Sequence, residues 1–298
     1  MAKLSIIIPT YNRSELLQQQ VRRILPQLNS DVELILIDNK SDYDVFSLFS
    51  ETELKRFKII VNNINIGGAA NIAKCFEICE TDWLWTLSDD DLIASDAVET
   101  VLSHLEEKDN TVMVNYYDGG SFISSGLDEF AEMTKYKSVY VNLFWMSCCI
   151  YNMKIIRDYI HIYYRAISTM QPGIVLLVRI LEKNPSYCVE VVQTNIVDKP
   201  GDAISWNREL FLFATLYVLD LLNNLSKRLN KSLFDAIYFM SLDNVRCARS
   251  SGTSFMGSLK MYRVIVSRFG LFNIIRYHLT TTLRHIVRLA MYTFNIRK

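Results

Sequence analysis

Three adjacent carboxylates, in the run Ser88-Asp89-Asp90-Asp91, directly follow an apolar segment at residues 83–87. Adjacent carboxylates repel one another, so such a cluster lowers stability unless a cation or hydrogen-bond donors neutralise it. A divalent ion held by one or two carboxylates and completed by substrate phosphates is a common solution. The alternative is a solvated acidic turn in which an Asp caps the following helix. The run alone therefore predicts either an ion site or a capped turn.

Strands and helices must alternate along the first part of the chain to position this run. Short apolar segments predict buried strands, and the segments between them show the apolar spacing of helices. Repeated strand–helix units predict a parallel sheet covered by helices on both faces. The predicted strands are residues 4–8, 32–37, 57–61, 83–87 and 112–116, and the predicted helices are 14–28, 43–54, 69–78 and one capped by Ser95.

Four polar clusters each follow one predicted strand, at residues 9–13, 38–42, 62–71 and 88–91. In open parallel sheets, ligands bind beyond the carboxyl ends of the strands. Scattered surface residues would not choose the same edge four times. The pattern therefore predicts one binding site at this edge, with the three carboxylates in it.

The middle of the chain is less regular. A strand is predicted at 139–145, helices at 153–159 and 173–182, and a strand at 187–197. Lys199-Pro200-Gly201-Asp202 predicts a turn. From Glu209 onward the pattern is helical, so we expect a helical C-terminal region.

Charge is distributed unevenly within a chain of 298 residues whose formal net charge is zero. No acidic residue follows Asp243, whereas ten Lys and Arg residues do. A basic, aromatic-rich tail is typical of proteins that contact an anionic surface, either membrane or nucleic acid. No groove-binding motif accompanies it, so we expect no nucleic-acid partner.

Cysteine usage and hydropathy suggest a compartment. The six cysteines show no C-x-x-C pairing and no secretory leader precedes Leu4, so we expect reduced thiols in the cytoplasm. The longest apolar stretch, 210–219, is too short to span a bilayer. Amphipathic basic helices over 244–298 favour peripheral contact with the inner face of the membrane. A helical bundle with solvated basic residues is the alternative.

Four motifs occur together in order: Ile8-Pro9-Thr10-Tyr11-Asn12-Arg13, Ile37-Asp38-Asn39-Lys40-Ser41, Asn65-Ile66-Gly67-Gly68 through Asn71, and Leu87-Ser88-Asp89-Asp90-Asp91. They resemble family 2 glycosyltransferases over about residues 3–118, and more loosely to about 206. The resemblance implies an α/β GT-A fold, that of nucleotide-diphospho-sugar transferases, with a mostly parallel sheet. It implies a catalytic domain over 1–206, with a nucleotide-sugar half at 1–118 and an acceptor half at 119–206, followed by a helical region over 207–298.

The resemblance also implies an activity. Such enzymes transfer a sugar, here of hexosyl or deoxyhexosyl type, from a nucleotide sugar to an acceptor hydroxyl with inversion. Capsule, O-antigen or other surface glycan synthesis is the expected role, with a glycan or lipid-linked acceptor. Charge develops on the diphosphate leaving group and a metal must offset it, so Mn²⁺ or Mg²⁺ is expected. The implied metal ligands are Asp90 and Asp91, with Asp89 at the donor's ribose or near the ion. The family motif is D-x-D and Ser88 occupies its first place, so the assignment of individual carboxylates is open by one position.

The donor pocket follows from the same motifs. Tyr11 would stack on or edge the nucleobase, and Asp38 or Asn39 would accept the imino N–H of uracil or thymine; a turn cap is the alternative for Asp38. The glycine pair would open a helix whose N-terminus favours phosphate. Arg13 would reach the diphosphate or remain solvated. The implied donor-binding residues are Pro9, Thr10, Tyr11, Asn12, Arg13, Asp38, Asn39, Gly67, Gly68, Asn71 and Asp89.

The catalytic base is the missing part. An inverting transfer needs a carboxylate or His to accept the acceptor's proton, and the family place for it, just before a helix, holds Gln171. Asp202 is the candidate instead, because its Pro-Gly turn resembles a loop that closes over the donor. The alternative function is a catalytically inactive GT-A-fold module that binds nucleotides. Lesser candidates for the base are Asp158, His161, Glu182 and Asp198.

Overall fold

The computed structural model describes residues 2–135, 137–199, 208–222, 225, 227–250, 254–276 and 279. The strands are β1 (Leu4–Thr10), β2 (Val32–Asp38), β3 (Lys58–Val61), β4 (Trp83–Thr86), β5 (Leu92–Ile93), β6 (Thr111–Tyr116), β7 (Phe122–Ser125), β8 (Cys149–Asn152), β9 (Cys188–Val192) and β10 (Val197–Lys199). The α-helices are α1 (Ser14–Ile24), α2 (Glu51–Leu54), α3 (Gly68–Ile78), α4 (Ala97–Ser103), α5 (Gly126–Thr134), α6 (Lys137–Asn142), α7 (Met153–Ile156), α8 (Ile160–Arg165), α9 (Pro172–Lys183), α10 (Arg208–Leu221), α11 (Lys227–Ser250) and α12 (Phe255–Phe269).

Eight strands form the central sheet in the order β3-β2-β1-β4-β8-β6-β9-β7. The four strands from β3 to β4 are parallel, as are β6 and β9. Strand β8 runs antiparallel to both β4 and β6, so β4 and β6 point the same way. The predicted α/β fold with a mostly parallel sheet is confirmed, and the five predicted strands of the first part all lie in it.

Burial explains why these segments pair as they do. Leu4, Ile6, Ile7 and Ile8 of β1 are all fully buried, as expected for a central strand covered on both faces. The apolar stripe of α1 covers one face of the sheet. Since the sheet interior is apolar, the polar residues that follow each strand collect at its edge.

The structure corrects several predictions in the middle of the chain. The predicted strand at 139–145 is wrong, because Lys137–Asn142 is helix α6, in which tertiary packing of buried Tyr140 overrides the strand preference of its β-branched neighbours. The strand inserted into the sheet is β8, which is too short and too buried to show periodicity. The predicted strand at 187–197 is two strands, since the chain bends after β9, where the Thr194 N–H donates to the Val192 carbonyl at 2.9 Å.

Two smaller predictions need comment. Ser95 does not cap α4: the N-cap is Asp96, whose side chain makes no capping bond. The predicted turn at 199–202 lies outside the described residues from Pro200 onward.

Contacts divide the chain into two compact units. One comprises Met1–Trp206 and Phe213–Ile237, and the other comprises Asn207–Leu212 and Tyr238–Lys298. The predicted helical C-terminal region is confirmed by α10 to α12, whereas a domain boundary at residue 206 stays a prediction. Within the described part of the chain, none of the helices combines the length and apolar composition that crossing a membrane requires.

Candidate active site

Loops after β1 and β4 meet through the carboxylate run. The Thr10 hydroxyl donates to Asp89 Oδ2 at 2.7 Å. The Arg13 guanidinium lies between two carboxylates, with Nη1 3.0 Å from Asp89 Oδ1 and 2.6 Å from Asp90 Oδ2. Ser88 Oγ donates to the other oxygen of Asp90. Asp89 and Asp90 therefore direct one oxygen each at a single cationic nitrogen.

Burial and charge act in opposite directions on this ion-pair group. Burial raises the pKa of Asp89, although the Thr10 hydroxyl and Arg13 oppose the rise. Burial on its own would lower the pKa of Arg13, but the charges of Asp89 and Asp90 raise it overall. The guanidinium therefore stays charged and supplies the cation that adjacent carboxylates require.

Asp91 is placed differently from its two neighbours. It is 5% exposed, and its Oδ2 accepts hydrogen bonds from Trp145 Nε1 at 2.8 Å and Ser147 Oγ at 2.6 Å. The Gln20 side-chain amide donates to the Asp91 carbonyl at 2.6 Å. Asp91 thus ties the loop after β4 to the segment before β8. The sequence did not indicate Gln20, Trp145 or Ser147, which follow no strand end and carry no motif.

Side-chain amides join the loops that follow β2 and β3. We call buried Asn39, Asn62 and Asn71, together with exposed Asn65, the asparagine network. Asn39 Oδ1 accepts from Asn62 Nδ2 at 2.9 Å and from the Ile66 N–H at 3.0 Å, while Asn39 Nδ2 donates to Asn65 Oδ1 at 2.8 Å. Asn71 accepts from Asn62 at 2.8 Å and donates to the Ile37 carbonyl at 3.1 Å. The amides of Asn39 and Asn71 therefore hold the loops of the pocket together.

Asp38 forms the tight turn at the end of β2. Both the backbone N–H and the hydroxyl of Ser41 donate to its carboxylate, the hydroxyl at 2.6 Å. Lys40 completes the turn with a φ of +67°. The structure thus shows the capping role that was the alternative for Asp38. Its Oδ1 accepts from both groups of Ser41, whereas its Oδ2 accepts only from the Ser41 N–H.

Tyr11 projects from a braced loop after β1. Asn12 adopts a left-handed conformation with a φ of +54°, donates to Asp42 Oδ2 at 2.8 Å and accepts from the Asp42 N–H at 2.8 Å. The Arg13 N–H donates to the Tyr43 hydroxyl at 3.1 Å. The ring of Tyr11 is 42% exposed, next to buried Thr10. An exposed aromatic ring on a fixed backbone suits stacking on a flat ligand.

The glycine pair leaves room at the start of α3. Gly67 has a φ of +84°, which only glycine adopts readily, and its N–H donates to Asn65 Oδ1 at 2.8 Å. A Cβ added at Gly67 or Gly68 would meet no atom within 4 Å. The amide groups at this helix N-terminus are thus open to an approaching anion.

Gln171 precedes α9 as predicted and is fully engaged. It is 1% exposed, accepts from the Tyr140 hydroxyl at 2.7 Å and donates to Thr215 Oγ1 at 3.2 Å. Asp202 lies outside the described residues. Of the lesser candidates for the base, Asp198 pairs with Arg23 and Glu182 pairs with Arg179.

Sequence reasoning missed the loop after β6, residues 117–121. The Tyr117 N–H donates to the Val192 carbonyl at 3.0 Å, and Gln193 Nε2 lies 3.5 Å from the Asp118 carbonyl. A Cβ at Gly119 would come within 2.3 Å of the Tyr117 ring, so the loop is tightly folded. The rule that located the other four clusters, polar residues after a strand, applies equally to this one.

A groove lies at the opposite edge of the sheet. It encloses about 920 Å³ at the amino ends of the strands and contains none of the predicted site residues. The polar clusters, not this groove, therefore mark the site. The groove is lined by residues that include Lys3, Asp31, Asp82, Trp83, Glu99, Asp109 and Lys154.

Solved structures share this architecture. Staphylococcus aureus TarS 1–349 in complex with UDP-GlcNAc superimposes with a TM-score of 0.60 at 11% identity, covering 89% of this chain and 81% of that chain. The mannosyltransferase PcManGT from Pyrobaculum calidifontis, in complex with GDP-Man and Mn²⁺, gives 0.52 at 11% identity, covering 99% and 88%. The predicted GT-A fold is confirmed.

Sequence comparison identifies the family. The GalNAc(5)-diNAcBac-PP-undecaprenol β-1,3-glucosyltransferase of Campylobacter jejuni is 31% identical over 110 residues, or 36% of each chain. The chain spans about a third to two fifths of the length of the curated relatives that it matches. Residues 5–163 match the family described as glycosyl transferase family 2. Since that match covers more than half of the chain, the protein belongs to family 2 of the glycosyltransferases.

Proposed function

We propose that the protein transfers a sugar, with inversion, from a nucleotide-diphosphate sugar to an acceptor hydroxyl in surface glycan synthesis. The observation that carries the proposal is the convergence of Asp89 and Asp90 on one cation, at the same sheet edge as the open N-terminus of α3. A cation site and a phosphate-binding helix end are the two elements that a nucleotide diphosphate needs.

Different loop residues bind different parts of the donor. Tyr11, presented by the braced Asn12, stacks on the base, and Asp38 accepts from the base at the end of β2. Gly67 and Gly68 admit the diphosphate to the start of α3. Asn39 and Asn71 support donor binding indirectly, because their side-chain amides hold these loops in place. Rigid placement of the donor lowers the entropic part of the barrier.

A divalent ion fits the carboxylate oxygens that now face Arg13. Among the described residues, no group of three His, Cys, Asp or Glu side chains could hold a metal. An ion held by Asp89 and Asp90 would need oxygens of the donor phosphates to complete its coordination. Asp90 is the ligand that we favour, with Asp89 beside it. Asp91 as a ligand stays a prediction, since its Oδ2 already accepts two hydrogen bonds. Mn²⁺ or Mg²⁺ there would neutralise charge on the leaving diphosphate.

Arg13 has a role in the same step. Its guanidinium now neutralises Asp89 and Asp90, and a bound ion would take over that task. The arginine side chain could then pair with the diphosphate, as the sequence predicted, because guanidinium groups bind phosphate oxygens in a forked geometry.

Nucleotide calorimetry tests the donor site. UDP, GDP, dTDP and CDP are titrated with and without Mn²⁺ into wild type, Asp90→Ala and the control Asp109→Ala, which alters an exposed carboxylate at the opposite edge. We expect Mn²⁺-dependent binding of one nucleotide that is lost in Asp90→Ala and kept in Asp109→Ala. Binding of none of the four would contradict the proposal.

Turnover separates an enzyme from an inactive module. Release of the nucleoside diphosphate from the matching nucleotide sugar is followed, and NMR gives the anomeric configuration of the product. Inverted product supports the proposal, whereas a retained configuration contradicts inversion. Nucleotide binding without turnover would favour the inactive nucleotide-binding module.

We also propose that the second unit contacts an anionic membrane surface, which would place the acceptor on a lipid. The Campylobacter relative is, by its name, an enzyme of an undecaprenol-linked glycan. In α12, Phe255 and Leu259 are exposed one turn apart, and Lys260 and Arg263 lie beside them. Phe272, just beyond the helix, is 76% exposed. Exposed apolar side chains flanked by basic ones are typical of interfacial helices.

Vesicle co-sedimentation tests the membrane contact. We expect binding to phosphatidylglycerol-containing vesicles, weakened by salt, and little binding to pure phosphatidylcholine. Phe255→Ser/Phe272→Ser should weaken it about tenfold or more, whereas Ile123→Ser, at an equally exposed apolar residue of β7, should not. Equal binding by both variants, salt-sensitive binding to RNA instead, or association of the protein with itself through these residues would contradict the contact.

A further inference from the structure

Most carboxylates at the donor edge are already occupied by hydrogen bonds. Each accepts from a named donor: Asp38 from Ser41, Asp42 from Asn12, Asp44 from the Phe46 N–H, Asp89 and Asp90 from Arg13, and Asp91 from Trp145 and Ser147. Asp118 differs, because no described residue hydrogen-bonds to or pairs with its exposed carboxylate. It is thus the carboxylate at this edge that can accept a proton without losing a partner.

The direction of β6 places Asp118 at the donor edge. Because β6 points the same way as β4, its carboxyl end lies at the edge that carries the carboxylate run. One strand, β8, separates β4 from β6. Two strand spacings correspond to about 10 Å, a separation that leaves room for a sugar ring between the run and Asp118. Acid and base groups that flank a sugar in inverting glycosidases stand roughly 6.5–9.5 Å apart.

The backbone around Asp118 is fixed while its side chain is exposed. The Tyr117 N–H donates to Val192 at the end of β9, and the Asp118 carbonyl accepts from the side chain of Gln193, the next residue. The Gln193 N–H donates to Ser121 Oγ at 2.9 Å. Cys148 lies between the two sides of the site: burial raises the pKa of its thiol, and the charges of Asp91 and Asp118 add to that rise. Asp118 therefore stands across the site from the donor loops on a loop that does not need to reorganise.

We propose that Asp118 is the general base of the transfer, a role that rests on the proposed function. Its carboxylate takes the proton of the acceptor hydroxyl as that oxygen bonds to the anomeric carbon. The bond from the anomeric carbon to the diphosphate oxygen breaks, and the nucleoside diphosphate leaves with the electron pair. The proton remains on Asp118 until solvent removes it. This assignment supplies the carboxylate that the sequence lacks at Gln171.

Asp118→Asn tests the role against a matched control at the other end of the same strand. Asp109 precedes β6 and Asp118 follows it, and both are exposed, so Asp109→Asn makes the same change at the opposite edge. Turnover is measured as nucleoside diphosphate release from the nucleotide sugar identified by calorimetry. We expect Asp118→Asn to lower kcat by about 100-fold or more, with unchanged nucleotide affinity and thermal unfolding. Asp109→Asn should behave as wild type.

Two further readouts distinguish a base from a merely structural residue. The acidic limb of the wild-type kcat–pH profile should disappear in Asp118→Asn and return, shifted, in Asp118→Glu. An Asp118→Asn enzyme within threefold of wild type overturns the assignment, as does a loss of turnover confined to Asp202→Asn. Wild type that binds nucleotide without turnover also overturns it, whereas absence of nucleotide binding refutes the proposed donor site itself.

Discussion

The loops on the two sides of the site are held in different ways. On the donor side, the loops after β1 to β4 bind one another through side chains, in the Arg13 ion pairs, the Asn12–Asp42 pair and the asparagine network. On the other side, the loop after β6 is anchored mainly by its backbone. A nucleotide diphosphate, the part shared by the proposed donors, would favour fixed side chains. A loop held by its backbone can exchange side chains without losing its shape, which would suit the proposed acceptor side.

The largest effect on stability should follow a change at Asp91 rather than at Asp90. Asp91→Ala leaves Trp145 Nε1 and Ser147 Oγ without their buried acceptor, so we expect the free energy of unfolding to fall by about 3 kcal/mol. Asp90→Ala, at a more exposed carboxylate, should remove metal-dependent nucleotide binding at a much smaller loss of stability. Urea unfolding with calorimetry checks both. A stable Asp91→Ala that no longer binds metal would make Asp91 the ligand.

The asparagine network provides the second test of the comparison. Asn62→Ala removes hydrogen bonds to Asn39 and Asn71 and leaves the Lys74 amine without its Asn62 acceptor. We expect a loss of about 2 kcal/mol in unfolding free energy and weaker nucleotide binding. Gln193→Ala removes the 3.5 Å contact on the other side and should change stability by less than about 0.5 kcal/mol. Equal losses in the two variants would remove the distinction between the two sides.

The same asymmetry explains what could be predicted from sequence. The donor edge was predictable because continuous apolar strands mark their own ends, and the polar residues there must be close in a parallel sheet. Strand β8 could not be predicted, because its four residues are all buried and so show no alternation of apolar and polar side chains. The hydrogen bonds from Trp145 and Ser147 to Asp91 form because β8 lies between β4 and β6 in the sheet. No local sequence pattern could therefore show them. Asp118 could have been found as a polar residue that follows a strand, but it belongs to no recognised motif.

Individual roles within the predicted site were harder to assign than its location. Asn39 has the right type and position to read a base, yet both ends of its amide are used within the protein. Arg13 was expected to bind phosphate or to be solvated; in the structure it neutralises Asp89 and Asp90, and its binding of phosphate stays a prediction. Residue type fixes which hydrogen bonds are possible, whereas tertiary neighbours decide which are made.

Tyr11 tests whether the donor side binds the base by stacking. Tyr11→Ala should weaken nucleotide binding by about 1–2 kcal/mol, because base–aromatic stacking contributes that much, and Tyr11→Phe should keep most of the affinity. Since the ring is 42% exposed, thermal unfolding should hardly change. Calorimetry with the preferred nucleotide measures the affinity. Unchanged affinity in Tyr11→Ala would mean that the base binds elsewhere on the edge.

The smallest effect should come from a hydrogen-bond pair on the donor half that lies at the surface. Ser50 and Glu53 form a capping box at the start of α2, and the bonds from Ser50 lower the pKa of Glu53 below its ordinary value of 4.5. Because the folded pKa is lowered, this contribution to stability is present above pH 4.5 and is lost as the pH falls through the folded pKa. Ser50→Ala should therefore cost about 0.5 kcal/mol at pH 7.

That difference from wild type should shrink as the pH falls below 4.5 and Glu53 takes up a proton. Urea unfolding at pH 7, 5 and 3 measures it, with Lys55→Ala, an exposed residue at the other end of the same helix, as the control. A loss at pH 7 as large as that of Asn62→Ala would mean that any hydrogen bond of the donor half stabilises it equally. A small, pH-dependent loss would show that burial between the loops, rather than the number of bonds, makes the donor side rigid.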